Sequence, residues 1–157
     1  MFMARDVMKV RVCGDPVLEK GSEKISEVTD EIRRLSERMH KTMVDYDGIG
    51  LAAPQVGISL RMITLAVPTP KADAEGNAPI FTPGEALLLP RMPLTLVNPE
   101  SLSFFGEDVT AEEGCLSVPD IYAPVTRKSM IDFQASTLDG EVITIQCGGW
   151  LARALQH

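Results

Sequence analysis

Hydrophobic periodicity predicts a single mixed α/β-type domain. Three observations carry that reading: one amphipathic helical stripe, several strand-like runs bounded by glycine and proline, and a chain of 157 residues, near the commonest size of one domain. The stripe is Val28, Ile32, Leu35, Met39 and Met43, separated by charged residues. These positions share one face of a helix over 29–46. Thr29 or Ser26 can cap its start, and Asp47-Gly48 supplies the turn that ends it. After Gly57 the run 60–67 reads as a strand, and 94–98 as another. The runs 130–138 and 141–146 read as a hairpin closed by Asp139-Gly140, a strong two-residue turn signal. The stretch 68–93 is rich in proline, alanine and glycine, which argues against a regular helix or central strand. It reads as a Pro-rich insertion loop in the one domain, with a flap over a substrate site as the sharper alternative. The run 150–157 follows Gly148-Gly149 and reads as the first two turns of a helix.

Fifteen Lys plus Arg against twenty-two Asp plus Glu leave a net charge of −7 and a sequence pI near 4.8. Such a chain gains nothing from phosphate backbones or anionic lipid, so neither nucleic acid nor a membrane surface is an expected partner. Cys13, Cys115 and Cys147 are too few and too widely spaced for a disulfide framework, which points to a reducing compartment. Cys13 and Cys147 sit in strand-like surroundings and read as core, and His40, beside the apolar stripe, reads as a boundary residue. The start carries Arg5, Asp6 and Lys9 among its apolar residues and lacks the pattern of a secretory signal. No apolar run approaches the roughly 20 residues of a membrane span. A cytoplasmic location is expected, although a mature organellar chain that had lost its leader would read the same.

Two segments are chemically specialised. Gly48-Ile49-Gly50-Leu51-Ala52-Ala53-Pro54-Gln55 crowds small residues around an amide that can both donate and accept hydrogen bonds. By itself it reads equally as a tight turn entering a packed strand. Glu112-Glu113-Gly114-Cys115-Leu116-Ser117 sets a thiol just after two carboxylates, although a lone cysteine is usually a small hydrophobe.

Together these segments resemble the peptide deformylases. Gly48 to Gln55 meets that family's GxGLAAxQ signature in full, and Glu113 to Ser117 meets its EGCLS signature in full. Gly14-Asp15-Pro16-Val17-Leu18 and Val97-Asn98-Pro99 also resemble family segments, with 68–93 as the least family-like part. The third signature, HExxH on a helix, is met only at its start by Gln156-His157, where the given sequence stops. The resemblance implies an α+β fold: antiparallel strands around a central C-terminal helix, with the amphipathic N-terminal helix packed outside.

It also implies the chemistry. Cys115 and His157 would be metal ligands, with Fe(II) the family's usual metal and zinc or nickel as substitutes. The metal would activate water against the formyl group of an N-formyl-methionyl nascent peptide, and the ribosome is a candidate partner. The Gln55 side-chain amide and the Leu116 backbone N–H would stabilise the developing oxyanion. Gly48, Ile49 and Gly50 would lie beside the peptide, and Ile49 with Trp150 would receive the methionine side chain. Glu113 and Arg127, fourteen residues apart, would form a structural pair. Three functional readings follow: an active metal-dependent deformylase whose working form continues past His157; an inactive peptide-binding protein of the same fold, lacking the complete metal site; and a cysteine-nucleophile hydrolase using Cys115 and His157. The intact Gln55, Cys115 and Glu113 favour the first, and no residue that would orient the histidine is evident for the third. A helix stopping at His157 is further expected to leave that ring poorly fixed.

Overall fold

A computed structural model describes residues 7–157; Arg5 and Asp6 of the charged start lie outside the described residues. The helical stripe folds as read, into α1 (Asp30–Asp45). Thr29 caps it by accepting the Ile32 N–H, and Asp30 and Glu31 place negative charge at the positive end of the helix dipole. Met39 and Met43 are fully buried. The helix ends where Asp47, at φ 56°, turns the chain.

Among the described residues, five strands form one antiparallel sheet in chain order: β1 (Gly50–Ala52), β2 (Met62–Leu65), β3 (Leu94–Cys115), β4 (Val118–Thr137) and β5 (Val142–Cys147). Alternation along the strands builds two cores. Leu96 joins Leu65, Ile131, Phe133 and Leu151, whereas its neighbour Val97 joins Met39, Met43, Leu51 and Met62 under α1. The first core is closed by α2 (Pro83–Leu88) and by α3 (Gly149–Gln156), whose Leu151 and Ala152 are buried against the sheet. The result is an α+β architecture. Among the described residues, no helix is long and apolar enough to cross a membrane.

Three local readings are corrected. The stretch 68–93 was expected to hold no regular helix, yet it contains α2 and a 3-10 turn at Leu89–Arg91. Pro83 is the first helical residue, where a missing N–H leaves no bond unmade. Glu85 reaches back to accept the Thr82 N–H at 3.1 Å and its hydroxyl at 2.9 Å. Second, β3 and β4 extend far beyond 94–98 and 130–138 into a ribbon of 22 and 20 residues. Much of its outer half is exposed, so no apolar alternation marks it in the sequence. Four register shifts, the last at Gly114/Cys115, bend it. Third, Cys13 lies exposed in a turn rather than in a core. Cys147 is buried, as expected, and desolvation pushes its thiol up to about 12.

Candidate active site

The glycine-rich segment becomes β1 followed by a 3-10 turn, Ala53–Val56, that ends at Gly57 with φ 85°. The turn fixes Gln55 at both its ends. The backbone carbonyl accepts the Arg11 N–H at 2.7 Å, and the side-chain Oε1 accepts the Ala52 N–H at 2.9 Å. With its oxygen committed, the amide must present Nε2 outward. That nitrogen lies 3.7 Å from Cys115 Sγ and 3.1 Å from Ser117 Oγ. The two specialised segments therefore meet.

Cys115 is the last residue of β3, and Leu116-Ser117 is the two-residue turn into β4. The turn is pinned from outside by Cys13, whose N–H donates to Ser117 O at 2.7 Å. It is pinned from inside by the Leu116 side chain, which packs against the core beneath α1. A Cβ added to Gly48 would stand 2.8 Å from Leu116 Cδ1. The bareness of Gly48 thus makes room for Leu116.

Among the described residues, sheet order puts β1 at an edge, bonded to β2 alone. The Ile49 carbonyl already accepts the Ala66 N–H at 2.8 Å, and a Cβ added to Gly50 would meet Leu65 Cδ2 at an ordinary 3.5 Å. Ile49 and Trp150 are 45% and 52% exposed. Two surface hollows lie elsewhere, one containing Lys24, Arg61, Asn98 and Gln134, the other Ile25, Val97 and Leu138; neither includes Ile49 or Trp150.

The expected pair of Glu113 and Arg127 proves to be half of a larger network. Arg127 grips the carboxylate with two bonds of 2.6 Å, from Nε to Oε2 and from a terminal nitrogen to Oε1. Arg153, on α3, adds a bond of 2.7 Å to Oε2. His157 brings Nδ1 to 2.7 Å from Oε1. The Glu113 side chain is only 7% exposed. Its hydrogen bonds, that from Arg127 above all, hold the carboxyl down at about 2 against the opposing effect of burial.

Two expectations change here. His157, thought to lack an orienting residue and to be poorly fixed, faces Glu113 and also donates its N–H to Arg153 O at 3.0 Å. Arg153 was missed altogether, although it precedes His157 by four residues on a helix and so shares its face. His40 is a half-buried residue on α1 whose Nδ1 has no partner among the described residues, in keeping with a boundary position.

As donors for a metal, Cys115 offers a free, half-exposed thiol, and His157 offers Nε2 once Nδ1 is taken by Glu113. Thiolate and imidazole suit a borderline divalent ion. Among the described residues, no group of three or more His, Cys, Asp or Glu that could hold a metal is present. The two residues fit as part of a donor set.

Comparison with known proteins gives a consistent result. The profile of a family described as polypeptide deformylase matches residues 7–157. Peptide deformylase 2 of Gloeobacter violaceus is 39% identical over 155 residues, 99% of this chain and 74% of that protein. A peptide deformylase of Dictyoglomus thermophilum is 37% identical over 155 residues, covering 99% and 84%. Among solved structures, peptide deformylase from Thermotoga maritima superposes with a TM-score of 0.75 at 35% identity, covering 96% of this chain and 88% of that one. The Met-Ala-Ser-bound class I type b enzyme from Acinetobacter baumannii gives 0.78 at 35%, covering 96% and 89%.

Proposed function

The chain belongs to the peptide deformylase family, hydrolases that use a divalent metal and act on formylated nascent peptides; we propose that it carries out this reaction with Cys115 and His157 as metal ligands and Gln55 and Leu116 as oxyanion donors. The observation that carries the assignment is the committed amide of Gln55. Its oxygen is held by Ala52, and its nitrogen is aimed at Cys115 and the Leu116-Ser117 turn.

In this scheme the metal, when bound, supplies Lewis acidity and activates water near neutral pH. Fe(II) is the ion proposed, with zinc or nickel able to substitute at a thiolate–imidazole pair. The protein's own groups do the rest. Gln55 and the Leu116 N–H, oriented before substrate arrives, meet the charge that develops on the formyl oxygen. The open edge of β1 at Ile49 and Gly50 takes the peptide backbone as an added strand, which gives affinity without demanding a particular sequence. A Met-Ala-Ser tripeptide is the ligand named for the Acinetobacter relative, and an apolar first side chain of that kind suits the half-exposed Ile49 and Trp150. Residues 1–157 form one catalytic domain, with 68–93 an insertion in it. The setting proposed is the cytoplasm, with the ribosome a further partner.

The test measures formate released from formyl-Met-Ala-Ser under anaerobic Fe(II), for residues 1–157 and for the same chain continued by Glu-x-x-His. The continued chain is expected to be active with one metal per subunit. Residues 1–157 are expected to be slower by orders of magnitude for want of a third ligand and a general acid. Full activity of residues 1–157 would move the third ligand elsewhere in this chain, His40 first. Stoichiometric metal in a Cys115→Ala variant of the continued chain would end the assignment of Cys115.

A further inference from the structure

We infer that Arg153 is a positioning residue: by holding Glu113 it fixes the His157 imidazole with Nδ1 given to the carboxylate and Nε2 left free. This rests on the reading of His157 as a metal ligand. The Arg153 side chain is 9% exposed, and it is braced to three groups at once. One terminal nitrogen donates to Glu113 Oε2 at 2.7 Å and to Val125 O at 3.0 Å; the other donates to Val109 O at 2.7 Å. Val109 and Val125 belong to opposite strands of the β3–β4 ribbon. A single side chain on α3 therefore locks the helix to both strands that lead to Cys115.

The bond to Oε2 matters for the ring because it leaves Oε1 to the imidazole. Arg127 alone would set the plane of the carboxylate. Arg153 adds a second donor to Oε2, so that both hydrogen bonds on that oxygen come from guanidinium, and Oε1 is the atom that faces His157. Arg127 also brings a terminal nitrogen to 3.3 Å from His157 Nδ1, which would require an unprotonated Nδ1. The same nitrogen makes a bond of 2.6 Å to Oε1. That nitrogen carries two hydrogens, so the bond to Oε1 does not by itself settle the ring; the carboxylate does, because it can only accept, and its 2.7 Å contact with Nδ1, much shorter than the 3.3 Å one, requires a proton on Nδ1. A neutral ring with Nδ1 protonated carries its lone pair on Nε2. Partners of this kind typically change metal affinity by roughly 10–100-fold when removed.

The chain holds only two histidines, His40 and His157, so nitrogen-15 NMR of histidine-labelled, metal-free protein resolves the tautomer directly. The wild-type His157 should show a pyrrole-type Nδ1 and a pyridine-type Nε2. Arg153→Gln, with native amide shifts in the sheet, should move His157 toward a mixture of tautomers and weaken Zn²⁺ binding by about tenfold or more. Arg153→Lys, which keeps the charge and can reach a single acceptor, should recover part of both effects and serves as the folded control if the glutamine variant is unstable. A folded variant of either kind with the wild-type tautomer and Zn²⁺ affinity would overturn the inference. If the tautomer responds as stated but Zn²⁺, bound by the chain continued with Glu-x-x-His, leaves the His157 signals unmoved, positioning by Arg153 is upheld and the assignment of His157 as a ligand fails.

Discussion

Gly84→Ala tests how α2 is seated on the fold, and two opposing effects decide its sign. An alanine inside a helix is ordinarily better than glycine by about 0.5–1 kcal/mol. At Gly84, however, the added Cβ would lie 2.9 Å from Gln146 O, from Cys147 Cβ and from Ile145 Cδ1, about 0.5 Å inside the 3.4 Å at which ordinary contact begins. One of these atoms is a backbone carbonyl and another is the Cβ of a buried residue, so neither can rotate away. Overpacking of this kind costs about 1–3 kcal/mol, and the net expectation is a loss of about 1–2 kcal/mol. Urea unfolding followed by circular dichroism measures it as a lower midpoint at constant slope. The consequence reaches the site, because α2 also carries Glu85, whose Oε2 is 2.6 Å from where a Cβ on Gly149 would stand at the start of α3. If Gly84→Ala proved as stable as the parent or more so, helix propensity would have won, and the close seating of α2 on β5 would be refuted.

Further outcomes follow from the same geometry. In the metal-loaded, continued chain, Gln55→Leu should lower kcat by about 10² to 10³ with a smaller change in KM, as befits a donor used mainly in the transition state; equal kcat would show Gln55 to be structural. The Glu113 carboxyl, held at about 2 against 4.5 when unfolded, contributes stability that is present above pH 4.5 and is lost as pH falls toward 2. The amount is about 3 kcal/mol, so Glu113→Gln should flatten the acid limb of a stability–pH curve. An unchanged limb would contradict the network. The Cys147 thiol, raised to about 12 from 9.0, stays protonated where the unfolded thiol ionises. Its contribution is intact below pH 9 and is lost between 9 and 12. In native metal-free protein near pH 8 an aromatic disulfide reagent should titrate Cys13 and Cys115 and leave Cys147 untouched; three reactive thiols would place Cys147 outside the core.

Legibility in the sequence followed burial. The α1 stripe announced itself because Met39 and Met43 alternate with charged residues at helical spacing, and the Asp139-Gly140 turn because its chemistry is local. The outer ribbon was silent: exposed on its surfaces, it carries no apolar rhythm, and its turn, Leu116-Ser117, lacks the glycine or asparagine that marks most two-residue hairpins. Helix α2 was hidden by prolines that count against a helix interior but not against its first turn. At the site, the signatures named Gln55, Cys115 and His157 one by one. Arg153 escaped because an arginine on a helix reads as solvated surface until a buried carboxylate is found opposite.

The bent β3–β4 ribbon also constrains how this gene can change length. A strand has a two-residue repeat, so losing one residue between 107 and 112 would turn every following side chain to the opposite face. Glu113 would then point away from Arg127, Arg153 and His157, with no amino acid of the network itself replaced. Paired insertions or deletions, one residue removed from each strand at opposed positions such as Asp108 and Lys128, shorten the ribbon but likewise invert the faces beyond them. Changes by two residues per strand keep the parity. Length variation here is therefore expected in even steps, whereas the loop residues 70–81, which belong to no strand, are free of that arithmetic.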